Sequence, residues 1–210
     1  MICGIDEAGR GPLAGPVCAA AVILPNDFPV ELLDDSKKLK AARREELRQI
    51  ICDKAYAWGL AWATHTEIDE INILQASLLA MKRAVEQMLI GTPPSAAAWP
   101  SEITVEIPFG SPLSHAQLPE LSAIVDGLHK PQIPIPCTAM VKADAKIPSV
   151  MAASILAKTA RDQLMDYYDK CYPEYAYKKH KGYPTKEHRE RVFKYGPSPI
   201  QRISFRVTKI

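Results

Sequence analysis

No apolar run in this chain of 210 residues is long enough to cross a bilayer. Residues 1–24 do not read as a signal peptide either: they have no basic start, and Asp6 and Glu7 interrupt their apolar run. Neither sign of charge dominates. Lys plus Arg number 26 against 24 Asp plus Glu, so any case for nucleic-acid binding must rest on local clustering. The cysteines Cys3, Cys18, Cys52, Cys137 and Cys171 are scattered, and none forms a C-x-x-C pair. That spacing implies neither a zinc site nor a disulfide framework, and reduced thiols in a cytoplasmic protein are expected. No Gly-Lys-Ser/Thr follows the glycines near the N-terminus, which removes a phosphate-loop nucleotide hydrolase. The apolar fraction of 47% fits one domain with a real core.

The densest stretch runs from Gly4 to Pro16, Gly-Ile-Asp-Glu-Ala-Gly-Arg-Gly-Pro-Leu-Ala-Gly-Pro. Met1 to Ile5 reads as a strand that ends in two carboxylates, Asp6 and Glu7. Neighbouring strand residues face opposite ways, so the two acids share a site only if the backbone bends at Glu7. Paired carboxylates at a strand end suit a hard cation such as Mg²⁺. Arg10 between Gly9 and Gly11 suits a phosphate or a sugar, which the bare backbone can approach.

Val17 to Leu24 reads as a buried strand antiparallel to the first. Asp35-Ser-Lys-Lys-Leu39 offers either a helix cap at Ser36 or a phosphate contact at Lys37 or Lys38. Ala41 to Lys54 reads as an amphipathic helix. Ala55 to Thr64 reads as a third strand, with Trp58 and Trp62 as packing residues. A long helix over Thr66 to Ile90 follows from Ile71, Leu74, Leu78, Met81, Val85 and Met88 at helical spacing. Residues 91–121 are proline-rich and read as a surface insertion, with Ile103 to Ile107 as a short strand. Ser122 to Asp126 is a strand ending in an acid, and Ile133 to Val141 a fifth strand placed at an edge by Pro134 and Pro136. Lys142 to Lys146 leads to a helix with Pro148 first, running to about Tyr168. Lys178 to Lys194 clusters seven Lys and Arg against two acids, with His180, Tyr183 and His188 between them. A solvated helix face and a nucleic-acid rim both fit that pattern.

Asp6, Asp126 and Asp144 close strands or follow them, and Glu7 adds a fourth acid. Brought together bare, they would raise one another's pKa values. Divalent ions would neutralise them, and two such ions about 4 Å apart serve both oxygens of a phosphodiester displacement.

The motifs Gly4–Pro16, Asp35-Ser-Lys-Lys-Leu39, Val125-Asp-Gly127, Lys142-Ala-Asp144, Ala152-Ala-Ser-Ile-Leu-Ala-Lys158 with Arg161-Asp162, and His180-Lys-Gly-Tyr-Pro-Thr185 span nearly the whole chain. In that order they resemble bacterial ribonuclease HII. The resemblance implies an α/β ribonuclease H-like fold: a five-stranded mixed sheet flanked by helices in one domain over 1–210. Its α/β core would cover about 1–168, and a helical substrate-binding segment about 169–210. It implies hydrolysis of RNA in RNA–DNA hybrids and cutting 5′ of single ribonucleotides in duplex DNA. It implies two Mn²⁺ or Mg²⁺ ions on Asp6, Glu7, Asp126 and Asp144. Gly9, Arg10, Gly11 and Tyr183 would read the junction between ribose and deoxyribose, where only the 2′-hydroxyl differs. Lys37, Lys142 and Lys181 would contact phosphates, which position the duplex without selecting the sugar. A start at the first strand favours this type over the related type HIII, and a monomer without membrane contact is expected. Ala143, Ile147 and Gln201 stand where the family pattern has glycine, serine and histidine. The competing expectation is a non-catalytic or differently specific nucleic-acid-binding protein of the same fold.

Overall fold

The computed structural model describes residues 1–33, 39–90 and 120–208. Its strands are β1 (Ile2–Ala8), β2 (Val17–Ile23), β3 (Ala57–Ala63), β4 (Ser122–Asp126) and β5 (Cys137–Met140). They form one sheet in the order β3-β2-β1-β4-β5. β1 pairs antiparallel with β2 and parallel with β4, and β4 pairs parallel with β5. The sheet is therefore mixed, with β1 in the middle.

Three longer helices cover it: α1 (Ala41–Lys54), α2 (His65–Ile90) and α3 (Pro148–Cys171). Strand alternation decides which residue meets which helix. Cys18, Ala20 and Val22 of β2 pack with Trp58, Leu60 and Trp62 of β3 against α1 and α3. Val17, Ala19, Ala21 and Ile23 pack on the other face against Ala76, Ala80, Ala84 and Met88 of α2. All of β2 is buried, because both of its faces carry helices. Its alanines keep those helices close. The closest approach is at Gly4, where a Cβ would lie 2.1 Å from the Ser149 carbonyl carbon. The start of α3 thus rests directly on β1.

Thr64 and Glu67 cap α2 reciprocally: the Glu67 N–H donates to the Thr64 hydroxyl and the Thr64 N–H to the Glu67 carboxylate. The helix is not continuous as the periodicity suggests. Asn72 breaks it at φ 67°, and its side-chain oxygen accepts from the Leu74 and Gln75 N–H groups to restart it. β5 is also shorter than expected, because Pro134 and Pro136 keep the first half of Ile133–Val141 out of the ladder. It does lie at the sheet edge.

After α3 come α4 (Tyr177–His180) and α5 (Lys186–Tyr195). Gly196, Pro197 and Pro199 then end helical structure, so residues 196–208 are not helical as expected. They run back along the glycine-rich loop instead, where the Gly15 N–H donates to Ile200 and the Arg202 N–H to Leu13. The expectations for Ser36, Lys37, Lys38 and the Ile103–Ile107 strand lie outside the described residues. α1 itself starts with Lys40 in the cap position and no side-chain cap bond. No described helix is long and apolar enough to cross a membrane.

Candidate active site

Parallel strands β1 and β4 are in register from Ile2–Ser122 to Ile5–Val125. Asp6 and Asp126 therefore follow as neighbours at the carboxyl ends of adjacent strands, where open α/β sheets place their ligands. β1 stays regular through Ala8, with Glu7 opposite Ala19. The expected bend at Glu7 is absent; the chain turns at Gly9, whose φ of +105° suits glycine alone. Asp6 thus faces the α3 side, while Glu7 faces the other.

Asp6 is only 5% exposed. Its carboxylate accepts from the Glu7 N–H at 2.7 Å and from the Ser154 hydroxyl of α3. Burial first, then the Glu7 charge, push its pKa well above the carboxylate range, and Asp126 adds to the rise. Burial raises the Glu7 pKa as well, against the opposing pull of Arg10, whose Nη1 lies 3.4 Å from Glu7 Oε1. Asp126 accepts from the Ala143 N–H at 2.7 Å. That bond ties the end of β4 to the 3₁₀ turn Ala143–Ala145, which carries the buried Asp144. The structure brings Asp6, Glu7 and Asp126 into mutual electrostatic range, and joins Asp144 to them through the backbone of its neighbour.

Each of Asp6, Glu7 and Asp126 already has a protein donor of its own. Among the described residues no three His, Cys, Asp or Glu side chains are drawn together as around an ion. The donor set nonetheless fits a hard divalent cation, since a buried carboxylate beside two more acids gains most when positive charge enters.

The junction-reading residues meet across the fold. A Cβ at Gly11 would lie 3.5 Å from the Tyr183 ring, so the ring sits over the turn. Tyr183 is 39% exposed, with the Lys158 ammonium and the Arg161 guanidinium each 5.9 Å from its ring centre. It is held by two buried imidazoles. The His180 and His188 rings stack at 4.4 Å. His188 Nδ1–H donates to the Tyr183 carbonyl, and the Gly182 N–H donates to His180 Nδ1. Burial, then His180, lower the His188 pKa to about 4, and burial lowers that of His180 as well. Lys142 is exposed in a left-handed conformation beside the acids. Lys181 is already paired with Asp166, so it meets a phosphate only by leaving that carboxylate.

The departures from the family pattern differ in effect. Ala143 is fully buried and still delivers its N–H to Asp126. Ile147 caps α3 without a side-chain bond. Gln201 donates to the Leu13 carbonyl, but its side-chain oxygen is buried without a partner among the described residues.

Three participants have no role that the sequence assigns, although Ser154 and Arg161 stand inside the motifs quoted above. Ser154 sits four residues after Val150 on the buried stripe of α3, and Arg161 four after Ala157 on the same helix. A polar or charged residue inside an apolar stripe was the available signal. Arg202 lies outside any periodic element and gave none.

A family model described as Ribonuclease HII matches residues 3–208. The chain is 50% identical over 214 residues to the Ribonuclease HII of Treponema denticola, covering all of both chains. The crystal structure of ribonuclease H2 from Pyrococcus horikoshii OT3 aligns with a TM-score of 0.63 at 27% identity, covering 98% of this chain and 94% of that one. Bst-RNase HIII in complex with Mn²⁺ shares the fold, with a TM-score of 0.65 at 16% identity over 97% of this chain and 66% of that one.

Proposed function

We propose, for a chain that belongs to the ribonuclease HII family and is a ribonuclease H enzyme, that it cuts duplexes at the 5′ side of a ribonucleotide. Its substrates are RNA–DNA hybrids and duplex DNA carrying single ribonucleotides. The observation that carries this reading is the Asp6 carboxyl. It is buried, loaded with the charge of Glu7 and Asp126, and sited at the strand ends just before the Gly9–Gly11 turn, over which the Tyr183 ring sits.

Asp6, Glu7, Asp126 and Asp144 are the groups that would hold two Mn²⁺ or Mg²⁺ ions. Such ions, when bound, neutralise the phosphodiester oxygens and lower the pKa of attacking water. Water attacks the phosphorus, the bond to the 3′-oxygen of the preceding nucleotide breaks, and a proton ends on that oxygen. The products are a 3′-hydroxyl and a 5′-phosphate. The N–H groups of the glycine turn approach the 2′-hydroxyl, and the Tyr183 ring lies against the next sugar, where a hydroxyl would clash. Lys37, Lys142 and Lys181 contact phosphates. Residues 169–208 complete the substrate-binding side of a single catalytic domain.

Cleavage of an all-DNA duplex should be compared with that of the same duplex bearing one ribonucleotide. Arg10→Ala and Tyr183→Ala should each lower cleavage of the second substrate about tenfold or more, the scale of a lost aromatic contact to a nucleotide. Wild-type rates in both variants would remove these residues from junction reading.

A further inference from the structure

Two guanidiniums lie inside the protein without a carboxylate within ion-pair distance among the described residues: Arg161 at 1% exposure and Arg202 at 0%. Both point into the glycine-rich loop. Arg202 donates to the carbonyls of Gly9 at 2.6 Å, Pro12 and Gly15 at 2.8 Å, Arg10 at 3.0 Å and Pro16 at 3.3 Å. Arg161 donates to Ala14, Pro16 and Lys181. The Leu13 carbonyl accepts from the Arg202 N–H and from Gln201. Every carbonyl from Gly9 to Pro16 other than that of Gly11 is thus taken by the C-terminal run or by α3. The N–H groups of Arg10 and Gly11, in contrast, have no acceptor among the described residues.

We propose that Arg202 is a positioning residue for ribonucleotide recognition: by gathering the Gly9 and Arg10 carbonyls on the protein side, it leaves the N–H groups of the same two peptide units, those of Arg10 and Gly11, for the 2′-hydroxyl. This rests on the reading of that turn as the sugar-reading element. A peptide unit whose carbonyl is fixed has its N–H direction fixed as well, because the unit is planar. A planar fork of five donors can hold several carbonyls at once, whereas an ammonium is a point charge with three donors. With no carboxylate in contact, the guanidinium charge is balanced by these carbonyl dipoles, so their orientation is tightly held. Burial, then the neighbouring Arg161, lower the Arg202 pKa to about 9, which leaves it charged at neutral pH. Arg161 extends the same device to the second half of the reader. It bonds the Lys181 carbonyl and lies 5.9 Å from the Tyr183 ring.

The seat of Arg202 is fixed from outside. Asp69 at the start of α2 accepts from the Ile203 and Ser204 N–H groups at 2.9 Å each, and the Phe205 ring lies 5.1 Å from the Arg202 guanidinium. Asp69 is therefore a second handle on that seat: its loss keeps the arginine side chain itself but loosens the run that carries it.

The test measures kcat and KM separately on a duplex with one embedded ribonucleotide. It uses Arg202→Lys, Arg202→Met, Asp69→Ala and Arg10→Ala at a temperature where circular dichroism shows each variant folded. The Arg202 variants should lose about tenfold to a hundredfold in kcat, the cost of misplacing a reacting bond by a fraction of an ångström to an ångström. KM should change little, since duplex affinity comes from phosphate contacts elsewhere. Arg202→Met should fall furthest and Asp69→Ala least. Folded Arg202 variants with a lowered Tm and wild-type kcat would make Arg202 a stability residue only and overturn the proposal. If neither Arg202 variant folds, Asp69→Ala decides, and an unchanged kcat overturns the proposal. Loss in Arg10→Ala without loss in the Arg202 and Asp69 variants sinks positioning alone. Equal wild-type cleavage of an all-DNA duplex of the same sequence would instead place the fault in the sugar-reading role of the turn, since Arg10→Ala keeps the backbone N–H.

Discussion

Asp6→Asn should abolish cleavage and at the same time raise the melting temperature measured in chelator. The two effects have one cause. Asp6 is a buried carboxyl whose pKa is pushed up by burial and by Glu7, so ionising it in the native state works against folding. A group whose folded pKa lies above its unfolded value adds stability below the unfolded value and loses it as pH rises through the folded one. At a pH above that folded value its charge works against the ion-free protein, and asparagine, which carries none, keeps an oxygen for the Glu7 N–H. The same substitution removes the anion best placed to attract cations. Losing a few kcal/mol of transition-state stabilisation corresponds to about a thousandfold in rate. Melting curves with added Mn²⁺ complete the comparison. The wild type should gain stability from the ion by mass action, and the variant should gain little. A variant that turns over near the wild-type rate, or melts lower in chelator, would show that Asp6 is an ordinary buried acid.

Gly4→Ala should damage the fold more than any single methyl group usually does. The added Cβ would lie 2.1 Å from the Ser149 carbonyl carbon and 2.2 Å from the Val150 nitrogen. Both are backbone atoms at the start of α3, so no side chain can swing aside. Either α3 lifts from β1 or β1 shifts in the sheet. Overpacking of this kind costs about 3 kcal/mol or more, which for a chain of this size lowers Tm by roughly 10 °C. Function should suffer along with stability, because α3 also carries Ser154 to Asp6 and Arg161 to the loop. Thermal melts of Gly4→Ala against wild type measure the effect; equal melting temperatures would mean that α3 does not bear on β1 at Gly4.

Much of this arrangement can be read without coordinates, and the reasons differ from element to element. Ala41–Lys54 and Ser122–Asp126 form the helix and the strand expected of them, because the first is a run of strong helix formers and the second a short apolar run closed by an Asp-Gly turn. Asp6 and Asp126 stand out because a carboxylate that closes an apolar strand has little structural purpose. The bend at Glu7 that would turn both acids to one face does not form, because pairing with β2 holds the strand straight to Ala8, and pairing is a tertiary matter. The Asn72 break was hidden by an apolar spacing that continues on both sides of it. The carbonyl clamp of Arg161 and Arg202 leaves least trace, since its acceptors are main-chain atoms and carry no residue identity. Donors such as the Ala143 N–H, which holds Asp126, are invisible for the same reason.

The most direct measurement maps the products formed from a DNA duplex with one embedded ribonucleotide, incubated in Mg²⁺ or Mn²⁺ with and without EDTA. A site built on buried acids that act through divalent ions predicts one cut, on the 5′ side of the ribonucleotide. The ends should be a 3′-hydroxyl and a 5′-phosphate, and EDTA should suppress the cut. Cleavage that persists in EDTA, falls elsewhere, or occurs equally in an all-DNA duplex would contradict the account.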